Sequence, residues 1–577
     1  MERWYVAAKR ADFQEIGRKF GIDQVTARLI RNREVVGDDA IDAYLHGGRE
    51  RLGDPHLLKD ACKTAGILKE KIRQGKKIRI IGDYDIDGVN ASYILYRGLT
   101  RCGAQVDVEI PDRMKDGYGL NGHLIQLAYQ EGVDTILTCD NGIAAVAEIR
   151  EAKDLGMTVL ITDHHELQPE LPPADAIVNP KQPDCPYPFK ALCGAAVAYK
   201  LVACLYEAWG IQRAEADEFL EFAAVATVGD VMDLVGENRI IVKEGLKLLN
   251  HTANPGLRAL IEATGLSGSR ITAYHIGFVL GPCINASGRL DTAKRALALL
   301  LEQDCVKAAK LAEDLKELND ERKAMTLQGV ELAAARIESS SLKEDKVLVV
   351  YLPECHESLA GIIAGRLRER YHKPVFVLTD GAEGVKGSGR SIEAYNMFAE
   401  MCQCSDLFTK FGGHPLAAGL SLPKEHVEEF RSRINRLSSL TEEDFIPKVM
   451  IDVPMPISYI TENLVEELDV LEPFGKGNVK PVFAEKNLKL LSARILGKNK
   501  NVVKLQVKNS GDVVMDALYF GDVDVFRAYL TEQYGAGETE KLFWGRENSI
   551  FLSVTYYPGI NEFRGRRSLQ IVIQNYQ

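Results

Sequence analysis

The stretch GDYDIDGV, residues 82–89, places the carboxylates of Asp83, Asp85 and Asp87 directly after the apolar run KKIRII at 76–81. That run is typical of a buried strand, and Gly88 follows where the chain must turn. Three acidic groups at alternate positions repel one another, and a folded core gives no reason to gather them. The pattern indicates a site for something cationic at the end of a strand.

The residues that follow alternate between short apolar runs and helical patterns of ten or more residues. The further strand-like runs are QVDVEIP (105–111), DTILTCD (134–140) and MTVLITD (157–163). This alternation predicts a parallel, doubly wound sheet covered by helices, so the fold class is α/β.

Acidic and imidazole side chains follow three of these strands. Asp140 ends the third run, and Asp163, His164 and His165 end the fourth; Asp230, in VGDVMDL, lies where a helical pattern gives way to a turn. The carboxyl ends of neighbouring parallel strands share one crevice, so we expect these side chains to meet.

The expected cluster suits a pair of divalent cations. In an extended segment Asp85 and Asp87 would face the same way, roughly 7 Å apart at their bases. Two metal ions about 3.5–4 Å apart fit between such carboxylates, with a further carboxylate bridging them. Oxygen ligands with a single imidazole favour Mn²⁺ or Mg²⁺ over zinc.

Each of these signals has an ordinary structural alternative. An Asp before Asn-Gly, as at Asp140, is usually a cap or turn residue, and adjacent histidines are more often surface or core residues than ligands. The DxDxDG pattern also resembles a calcium loop, but residues 90–97 lack the Glu that such a loop requires. The metal hypothesis therefore depends on the convergence of several strand ends.

Beyond the sheet, the pattern divides the chain into further parts. Residues 301–338 contain Gly329 but no other Gly or Pro and carry Ala, Leu, Glu and Lys at helical spacing, which predicts a long helix. A second α/β pattern follows, and short strands at regular intervals then predict a small antiparallel β-barrel. The predicted domains are an N-terminal helical lead-in at 1–60, the first α/β domain at 61–300, the connecting helix at 301–340, a second smaller α/β domain at 341–448 and the barrel at 449–577.

The barrel region carries a local basic patch. Between Lys480 and Lys508 there are eight Lys or Arg residues and one acidic residue, Glu485, and EFRGRRS at 562–568 adds three arginines beside Phe563. Cations with aromatic side chains on a small barrel favour single-strand binding. The alternative is a set of solvated strand edges, where lysines prevent aggregation.

Composition narrows the class of protein. The 577 residues are 46% hydrophobic and 27% charged, as in an ordinary globular protein of several domains. No run of eighteen apolar residues and no secretory signal pattern occurs, so we expect no membrane span and a cytoplasmic location. The eleven cysteines are scattered and form no CxxC pair, which predicts neither a disulfide framework nor a structural zinc site. A net charge of −11 means that any polyanion must be bound by local basic patches.

Taken together, the motifs resemble a known family. DYDIDG, CDNG, DHH and GDVMDL resemble the four sequence blocks of the DHH phosphoesterase superfamily. IPDRMKDGYGL, GPCINASGRLD, LNDERKAMT, KGSGRS, FGGHPLAAGL and LEPFGKGNVKPVF resemble RecJ-type exonucleases specific for single-stranded DNA. The resemblance runs from about residue 20 to the end. It implies a DHH domain, a DHHA1-type second domain and an OB-type barrel.

The resemblance also implies roles for individual residues. Asp85 and Asp140 would hold one metal ion, and Asp87, Asp140, His164 and Asp230 the other, so that Asp140 bridges. Asp163 would support His164, and His165 would contact the scissile phosphate. Asp83 is a further metal-site candidate. Some superfamily members carry a metal-binding His four residues before the position of Asp85; this chain has Ile81 there.

The implied reaction is hydrolysis of a phosphodiester from the 5′ end of single-stranded DNA, activated by two Mn²⁺ or Mg²⁺ ions. Binding of DNA and its 5′-phosphate would need residues outside the metal cluster, because the cluster itself is acidic. The candidates are Arg113, Arg289, Ser388, Arg390, Gly412, Gly413 and His414. Each also has an ordinary reading, as a surface Arg or a glycine turn.

Two other functions remain open from the sequence. One is a small-substrate phosphoesterase acting on oligonucleotides or cyclic dinucleotides, and the other is a non-catalytic replication scaffold. Relatives of the first kind look shorter, and those of the second usually lack part of the carboxylate set. For the exonuclease we expect a monomer in DNA repair and recombination, with a single-strand-binding protein and a helicase as partners.

Overall fold

The computed structural model describes residues 2–113, 119–381, 384–497, 500–563 and 565–577. The chain forms two compact units. The large unit spans Gly48–Phe445, and the small unit combines Met1–Gly47 with Ile446–Gln577. The predicted division differs here, because residues 1–47 do not form a lead-in to the first α/β domain but share a core with the carboxy-terminal region.

The first part of the small unit is a strand and three short helices: β1 (Arg3–Val6), α1 (Phe13–Phe20), α2 (Gln24–Asn32) and α3 (Asp38–His46). β1 pairs in parallel with β12 (Lys448–Ile451). Leu29 and Ile41 are buried in the same hydrophobic cluster as the barrel interior. Helices of eight or nine residues are marginal alone, so this packing is what stabilises them.

The large unit begins with an all-parallel, five-stranded sheet, which confirms the predicted α/β class. Its strands are β2 (Lys77–Ile81), β3 (Gln105–Glu109), β4 (Thr135–Cys139), β5 (Thr158–Thr162) and β6 (Ala176–Val178). The helices are α4 (Ala61–Arg73), α5 (Ile86–Arg101), α6 (Gly122–Gln130) and α7 (Val146–Asp154). β6 was not predicted, because its three residues give too short a pattern.

The order of the sheet is β3-β2-β4-β5-β6. The chain moves from β2 outward to β3 and then returns past β2 to β4, so the direction of winding reverses between β2 and β4. Ligands of open α/β sheets bind in the crevice at such a reversal, outside the carboxyl ends of the strands. The acidic stretch 83–87 follows β2 and Asp140 follows β4.

A helical layer completes this part of the large unit: α8 (Gly194–Trp209), α9 (Leu220–Gly229), α10 (Gly236–Leu249), α11 (Pro255–Ala263), α12 (Ala273–His275), α13 (Gly281–Leu290), α14 (Lys294–Leu301) and α15 (Cys305–Glu338). A π-helical turn, Ile276–Leu280, joins α12 to α13. α15 has 34 residues and is the long helix predicted over 301–338. α8 is buried along almost its whole length, as its Ala, Val and Leu content predicts.

The second sheet of the large unit has the order β10-β11-β9-β8-β7. Its elements are β7 (Leu348–Tyr351), α16 (Ala360–Tyr371), β8 (Val375–Gly381), β9 (Gly384–Arg390), α17 (Met397–Cys402), β10 (Lys410–His414), β11 (Ala417–Leu422) and α18 (Val427–Leu437). Only β7 and β8 run parallel. α16 packs against β8 and β9 through apolar residues such as Ile363 and Leu367.

The second part of the small unit is a barrel with OB topology. Its elements after β12 are β13 (Val453–Pro454), α19 (Glu462–Glu467), β14 (Phe483–Leu496), β15 (Val502–Lys508), β16 (Val514–Phe520), α20 (Val523–Tyr534), α21 (Ala536–Phe543), β17 (Phe551–Phe563) and β18 (Arg566–Tyr576). The order β14-β15-β16-β18-β17 closes through the β14–β17 pairing, and β16 runs parallel to β18. This five-stranded Greek-key arrangement confirms the predicted OB-like barrel. Among the described residues, no helix combines the length and apolar character needed to cross a bilayer.

Candidate metal centre

The turn between β2 and α5 positions the first acidic residues. α5 begins at Ile86 with Asp85 as its N-cap, and one oxygen of Asp85 accepts the backbone N–H groups of Asp87 and Gly88 at 2.9 and 3.1 Å. The expectation that Asp85 and Asp87 face the same way from extended backbone is therefore wrong, because the helix has already started. Asp85 instead groups with Asp83.

Asp87 is buried in the first turn of α5 and is held by a second helix. Its two oxygens accept the N–H groups of Gly194 and Ala195 at 2.6 and 2.7 Å, at the start of α8. The amino end of a helix carries partial positive charge and unsatisfied donors, so it is a suitable neighbour for a buried carboxylate. These two bonds fix Asp87 beside the other carboxylates.

Asp140 lies at the centre of the cluster, immediately after β4. Its φ is +60°, a left-handed conformation that Asp tolerates better than most residues. Space around it is tight, since a Cβ on Gly194 would lie 2.7 Å from the Cβ of Asp140. Burial, together with the charges of Asp87, Asp85 and Asp83, raises the pKa of Asp140 well above its usual value.

The two histidines after β5 have different environments. His164 is buried, and its Nε2 lies 3.0 Å from Asp140 Oδ1, 3.5 Å from Asp87 Oδ2 and 3.8 Å from Asp230 Oδ2. Burial lowers the pKa of His164, so its imidazole is neutral at pH 7 and suited to ligate a metal ion. Asp230 directly follows the last residue of α9 and is half-buried.

His165 is the cationic member of the pair. Burial alone would lower its pKa, but the hydrogen bond between its Nδ1 and Asp163 Oδ1, at 2.8 Å, raises that pKa to about 9. Asp163 also accepts the backbone N–H groups of Ile143, His164 and His165. Asp163 was predicted to support His164; in the structure it contacts His164 through the backbone N–H, and the ring that it holds is that of His165.

The ligand atoms form three overlapping groups, each with all its atoms within 4.8 Å of one another. Their members are Asp83 with Asp85 and Asp140, Asp87 with His164 and Asp230, and Asp140 with His164 and His165. Asp140 is shared, as the bridging role requires. Ile81, at the position where some relatives have a His, is fully buried in an apolar cluster, and Asp83 supplies a third donor on that side.

The donor set fits divalent cations. Burial and the Asp85 charge raise the pKa of Asp83 to about 8, and burial and the Asp87 charge raise that of Asp85. Within the described residues, Asp83 Oδ1 and His164 Nδ1 are buried atoms that make no hydrogen bond. A cation between the carboxylates would remove their repulsion, and Mn²⁺ or Mg²⁺ matches a set of carboxylates with one imidazole.

A groove of about 830 Å³ lies beside the second sheet. The structure brings four of the predicted phosphate-binding residues to it: Arg113, Ser388, Gly412 and Gly413. Ser388, Gly419 and Gly412 are cross-strand neighbours on β9, β11 and β10. A Cβ on Gly412 would meet nothing within 4 Å, so its backbone borders open space. Lys386 and Lys410 also line the groove and were not predicted.

The other three predicted residues lie around this groove. Arg289, on α13, donates from Nη1 to the carbonyl of Ser358, a lining residue, at 3.0 Å. Burial and the nearby Arg113 and Arg322 lower the pKa of Arg289 to about 10, as expected where cations gather for an anion. Arg390 and His414 flank Ala417 on neighbouring strands, and burial lowers the pKa of Arg390.

His414 is the last residue of β10. The pKa of Glu166, next to His165, is lowered mainly by its hydrogen bond with Lys181, and His414 lies near enough to add a smaller effect. Met114–Tyr118 of the quoted motif IPDRMKDGYGL lie outside the described residues.

The basic patch of the barrel is smaller than predicted. Lys504 pairs with Asp516 at 2.7 Å, Lys508 with Asp512 at 2.9 Å, and Arg567 with Glu462 and Glu466. These acidic partners come from a neighbouring strand, a turn and α19, which a count along the sequence window did not include.

Several cations of the barrel region stay exposed, among them Lys486, Arg494, Lys500 and Arg566. Lys500 and Arg566 lie at the β14–β15 and β17–β18 turns, and loops of this kind bind nucleic acid in OB folds. Arg564 lies outside the described residues.

Sequence reasoning missed an aromatic pair near Asp230. Tyr274 and Phe278 are 63% and 68% exposed, and their rings stack at 4.9 Å between centroids. The π-helical turn that carries Phe278 packs against Val228, near the end of α9. The usable signal was the spacing of four residues, which places two aromatic side chains on one face of a helix.

Comparisons with known proteins agree with this architecture. Three family profiles match: the DHH family N-terminal domain at residues 77–227, the DHHA1 domain at 344–439 and the RecJ OB domain at 451–575. A curated relative, the single-stranded-DNA-specific exonuclease RecJ of Bacillus subtilis (strain 168), is 36% identical over 578 residues, covering 99% of this chain and 70% of the relative.

Solved structures give the same result. The crystal structure of RecJ in complex with Mn²⁺ from Thermus thermophilus is 28% identical, covers all of this chain and 79% of its own, and superposes with a TM-score of 0.81. The Mg²⁺ complex from the same organism is 27% identical and gives 0.78, with 100% and 78% coverage. The likeness extends over both units described above.

The repulsion among the buried carboxylates predicts an effect on stability. In the presence of a chelator, we expect Asp140→Asn to raise the melting temperature by about 1–2 °C, because about 1 kcal/mol corresponds to roughly 1 °C in a unit of 398 residues. Asn tolerates the left-handed backbone at this position. Added Mn²⁺ should stabilise the parent by about 2.7 kcal/mol at 100 times its Kd, and the variant far less. Differential scanning calorimetry measures both effects.

Asp320→Asn, on the exposed side of α15, is the matched control and should keep the full response to Mn²⁺. The same Mn²⁺ response in Asp140→Asn as in the parent would contradict the assignment of Asp140 as a ligand.

Proposed function

The chain belongs to the RecJ family of single-stranded-DNA-specific exonucleases, and we propose that its cluster between β2 and β4 holds the two metal ions of the reaction. The protein is a metal-dependent exonuclease acting on single-stranded DNA, with Mn²⁺ or Mg²⁺ as the ions. The site assignment is based mainly on the position of Asp140. Its carboxylate lies in one group of ligand atoms with Asp83 and Asp85 and in another with His164 and His165.

In this proposal Asp83, Asp85 and Asp140 hold one ion, and Asp87, Asp140, His164 and Asp230 hold the other. When bound, the two ions lower the pKa of an attacking water and neutralise charge on the oxygens of the phosphodiester. The α8 amides stabilise the charge of Asp87, and the low pKa of His164 keeps its imidazole free of a proton.

His165 binds the scissile phosphate. The hydrogen bond with Asp163 raises the pKa of His165 against the effect of burial and fixes the orientation of the ring through Nδ1. The other ring nitrogen, Nε2, can then donate a hydrogen bond to a phosphate oxygen. Asp163 holds its own charge because the hydrogen bonds to it outweigh the effect of burial, which would raise its pKa.

We propose that the groove beside the second sheet binds the 5′-phosphate and sets the polarity of cleavage. The Gly412 and Gly413 backbone and Ser388 would contact phosphate oxygens, while Arg113, Arg289, Arg390 and His414 supply positive charge around them. Support comes from the shared groove, from the open space at Gly412 and from the clustered arginines near Ser358. A strand held by its 5′ end would be cut processively from that end.

The exposed aromatic pair fits unpaired bases. Tyr274 and Phe278 offer a stacking surface close to Asp230, and base–aromatic stacking is tolerant of sequence. A duplex hides the faces of its bases, so such a surface favours single strands. We propose that the strand passes this pair on its way from the metal centre.

We also propose a cellular setting and partners for the enzyme. An enzyme restricted to single strands depends on a helicase to open duplex DNA, and on a single-strand-binding protein to keep the product open, during repair and recombination. We infer that the chain acts as a monomer, since every proposed metal ligand comes from the large unit. We further infer a cytoplasmic location, where free cysteines such as those of this chain stay reduced.

One experiment tests substrate class, polarity and metal need together. Long single strands labelled at the 5′ or 3′ end, a blunt duplex and a dinucleotide are digested with Mn²⁺ and with chelator. We expect early release of the 5′ label only, no turnover in chelator, slow turnover of the dinucleotide, and duplex digestion only after a helicase is added.

Loss of a residue that only orients a metal ligand lowers activity roughly 10–100-fold. We expect Asp140→Ala to lower activity by more than that. Early release of the 3′ label would refute the polarity. Faster turnover of the dinucleotide than of the strand would favour the small-substrate phosphoesterase, and an inactive parent would favour the scaffold.

The 5′-phosphate groove predicts the effect of a single methyl group. Gly412→Ala adds a Cβ that meets no protein atom, so folding should not change, but the methyl would occupy the space assigned to phosphate. Losing one charged hydrogen bond costs about 1.5–3 kcal/mol, so kcat/KM on a 5′-phosphorylated strand should fall about 10-fold or more. A strand with a 5′-hydroxyl should be much less affected.

Gly537→Ala, in α21 of the small unit, is the control, since its added Cβ also meets no atom. Equal losses on the two kinds of strand for Gly412→Ala would refute the phosphate assignment.

The exposed Tyr274–Phe278 pair predicts that the affinity for a single strand depends on its bases. Replacing Tyr274 and Phe278 together by Ala should weaken binding of a base-bearing strand by about 1–3 kcal/mol per stacked base. A strand with abasic sites at the affected positions should bind both proteins alike, which is the internal control. Fluorescence anisotropy with Ca²⁺ in place of Mn²⁺ measures the affinity. Equal weakening for the abasic strand would show that the rings act only on the fold.

A further inference from the structure

A second cluster of metal-ligand side chains lies away from the β2–β4 crevice. One ligand atom each from His56, Cys62 and Cys204 lie within 4.8 Å of one another. His56 belongs to the single turn Pro55–Leu57, Cys62 to the first turn of α4, and Cys204 to the second half of α8. The three residues come from separate segments, which is why the spacing of cysteines gave no sign of a site.

The His56 ring is held by two carboxylates. Its Nδ1 lies 2.7 Å from Asp54 Oδ1 and its Nε2 lies 2.9 Å from Glu207 Oε2. A carboxylate on one ring nitrogen is the usual means of orienting a metal-binding imidazole so that the other nitrogen is the ligand. Glu207 lies three residues after Cys204 and offers a fourth donor, and Arg213 lies 3.8 Å from Asp54 and 3.7 Å from Glu207.

The two thiols are close and chemically unequal. Cys62 is exposed, whereas Cys204 is buried. Burial, followed by the neighbouring Cys62, raises the pKa of Cys204 to about 12. A buried thiol has no role in the proposed hydrolysis, and it becomes a strong ligand when a cation takes the place of its proton.

We propose that His56, Cys62 and Cys204, with Glu207 or water as fourth ligand, form a second metal site that binds Zn²⁺. Two thiolates and an imidazole are soft to borderline ligands that favour tetrahedral Zn²⁺, whereas Mn²⁺ and Mg²⁺ favour the oxygen-rich crevice. Binding replaces the thiol protons of Cys62 and Cys204 and any proton on His56 Nε2, so protons are released and affinity rises with pH.

The position of the site gives it a structural role. It joins the Pro55 turn and α4 to α8, and the first amides of α8 hold Asp87 in the metal cluster. Bound zinc would therefore fasten the helix that orients a catalytic carboxylate, without itself touching substrate. This role is independent of which substrate the crevice cleaves.

Cobalt substitution tests the proposal on the full chain. Co²⁺ bound by thiolates gives an intense near-ultraviolet charge-transfer band, which oxygen ligands in the crevice do not give. We expect the reduced, chelator-treated parent to develop this band with one equivalent of Co²⁺ and to lose it when one equivalent of Zn²⁺ is added. Zn²⁺ should also raise its melting temperature.

Cys62→Ser and His56→Gln alter exposed side chains and should fold normally. Cys62→Ser should lose most of the band, His56→Gln should weaken Co²⁺ binding at least 10-fold, and both should keep the stabilisation by Mn²⁺. Cys305→Ser, an exposed cysteine at the start of α15, is the matched control and should behave as the parent.

Absence of the band in the parent, or an unchanged band in Cys62→Ser, would overturn the proposal. So would a Cys62–Cys204 disulfide in protein purified under reducing conditions. None of these outcomes depends on nuclease activity, so failure here is distinguishable from failure of the proposed exonuclease mechanism.

Discussion

Carboxylates gathered in one buried crevice repel one another, and several features of the large unit reduce that repulsion. The reversal of winding between β2 and β4 brings the carboxyl ends of both strands together. Asp83, Asp85 and Asp140 therefore lie close to one another. The amino end of α8 offsets part of the charge at Asp87, and Gly194 lets that helix approach Asp140 closely. A cation in the proposed site would offset the repulsion that remains, so the same carboxylates would explain both the arrangement of the fold and the need for metal.

The second sheet contributes a complementary charge. Arg113 lines the glycine-rich groove and Arg289 lies beside it, so this side is suited to the proposed phosphate, whereas the crevice is suited to the proposed cations. Arg289 reaches across to the Ser358 carbonyl, so the helical layer and the second sheet meet where the phosphate is proposed to lie. Separating the two charges lets a single strand be held at one place and cut at another.

Much of this arrangement could be predicted from the sequence. The parallel sheet, the long helix and the barrel follow from periodicity, and the meeting of the acidic and imidazole side chains follows from the rule that strand ends share a crevice. Local backbone conformation was harder to predict, since α5 begins at Ile86 and so places Asp85 and Asp87 in different conformations. The contact between Asp163 and the His165 ring could be recognised only from the hydrogen bonds of the structure. Other contacts between residues distant in the chain could not be predicted from the sequence. The acidic partners of Lys504, the His56–Cys62–Cys204 cluster, and the union of residues 1–47 with the barrel all depend on segments brought together only by folding.

The make-up of the small unit has a consequence for biosynthesis. Residues 1–47 leave the ribosome before the 398 residues of the large unit, and the barrel strands that share a core with Leu29 and Ile41 emerge after that unit. At about 5–20 residues per second, synthesis of the large unit and the barrel takes roughly 25–105 s, during which the apolar faces of α2 and α3 lack their barrel partners. Residues 1–47 are thus translated before the large unit but complete their core only after it.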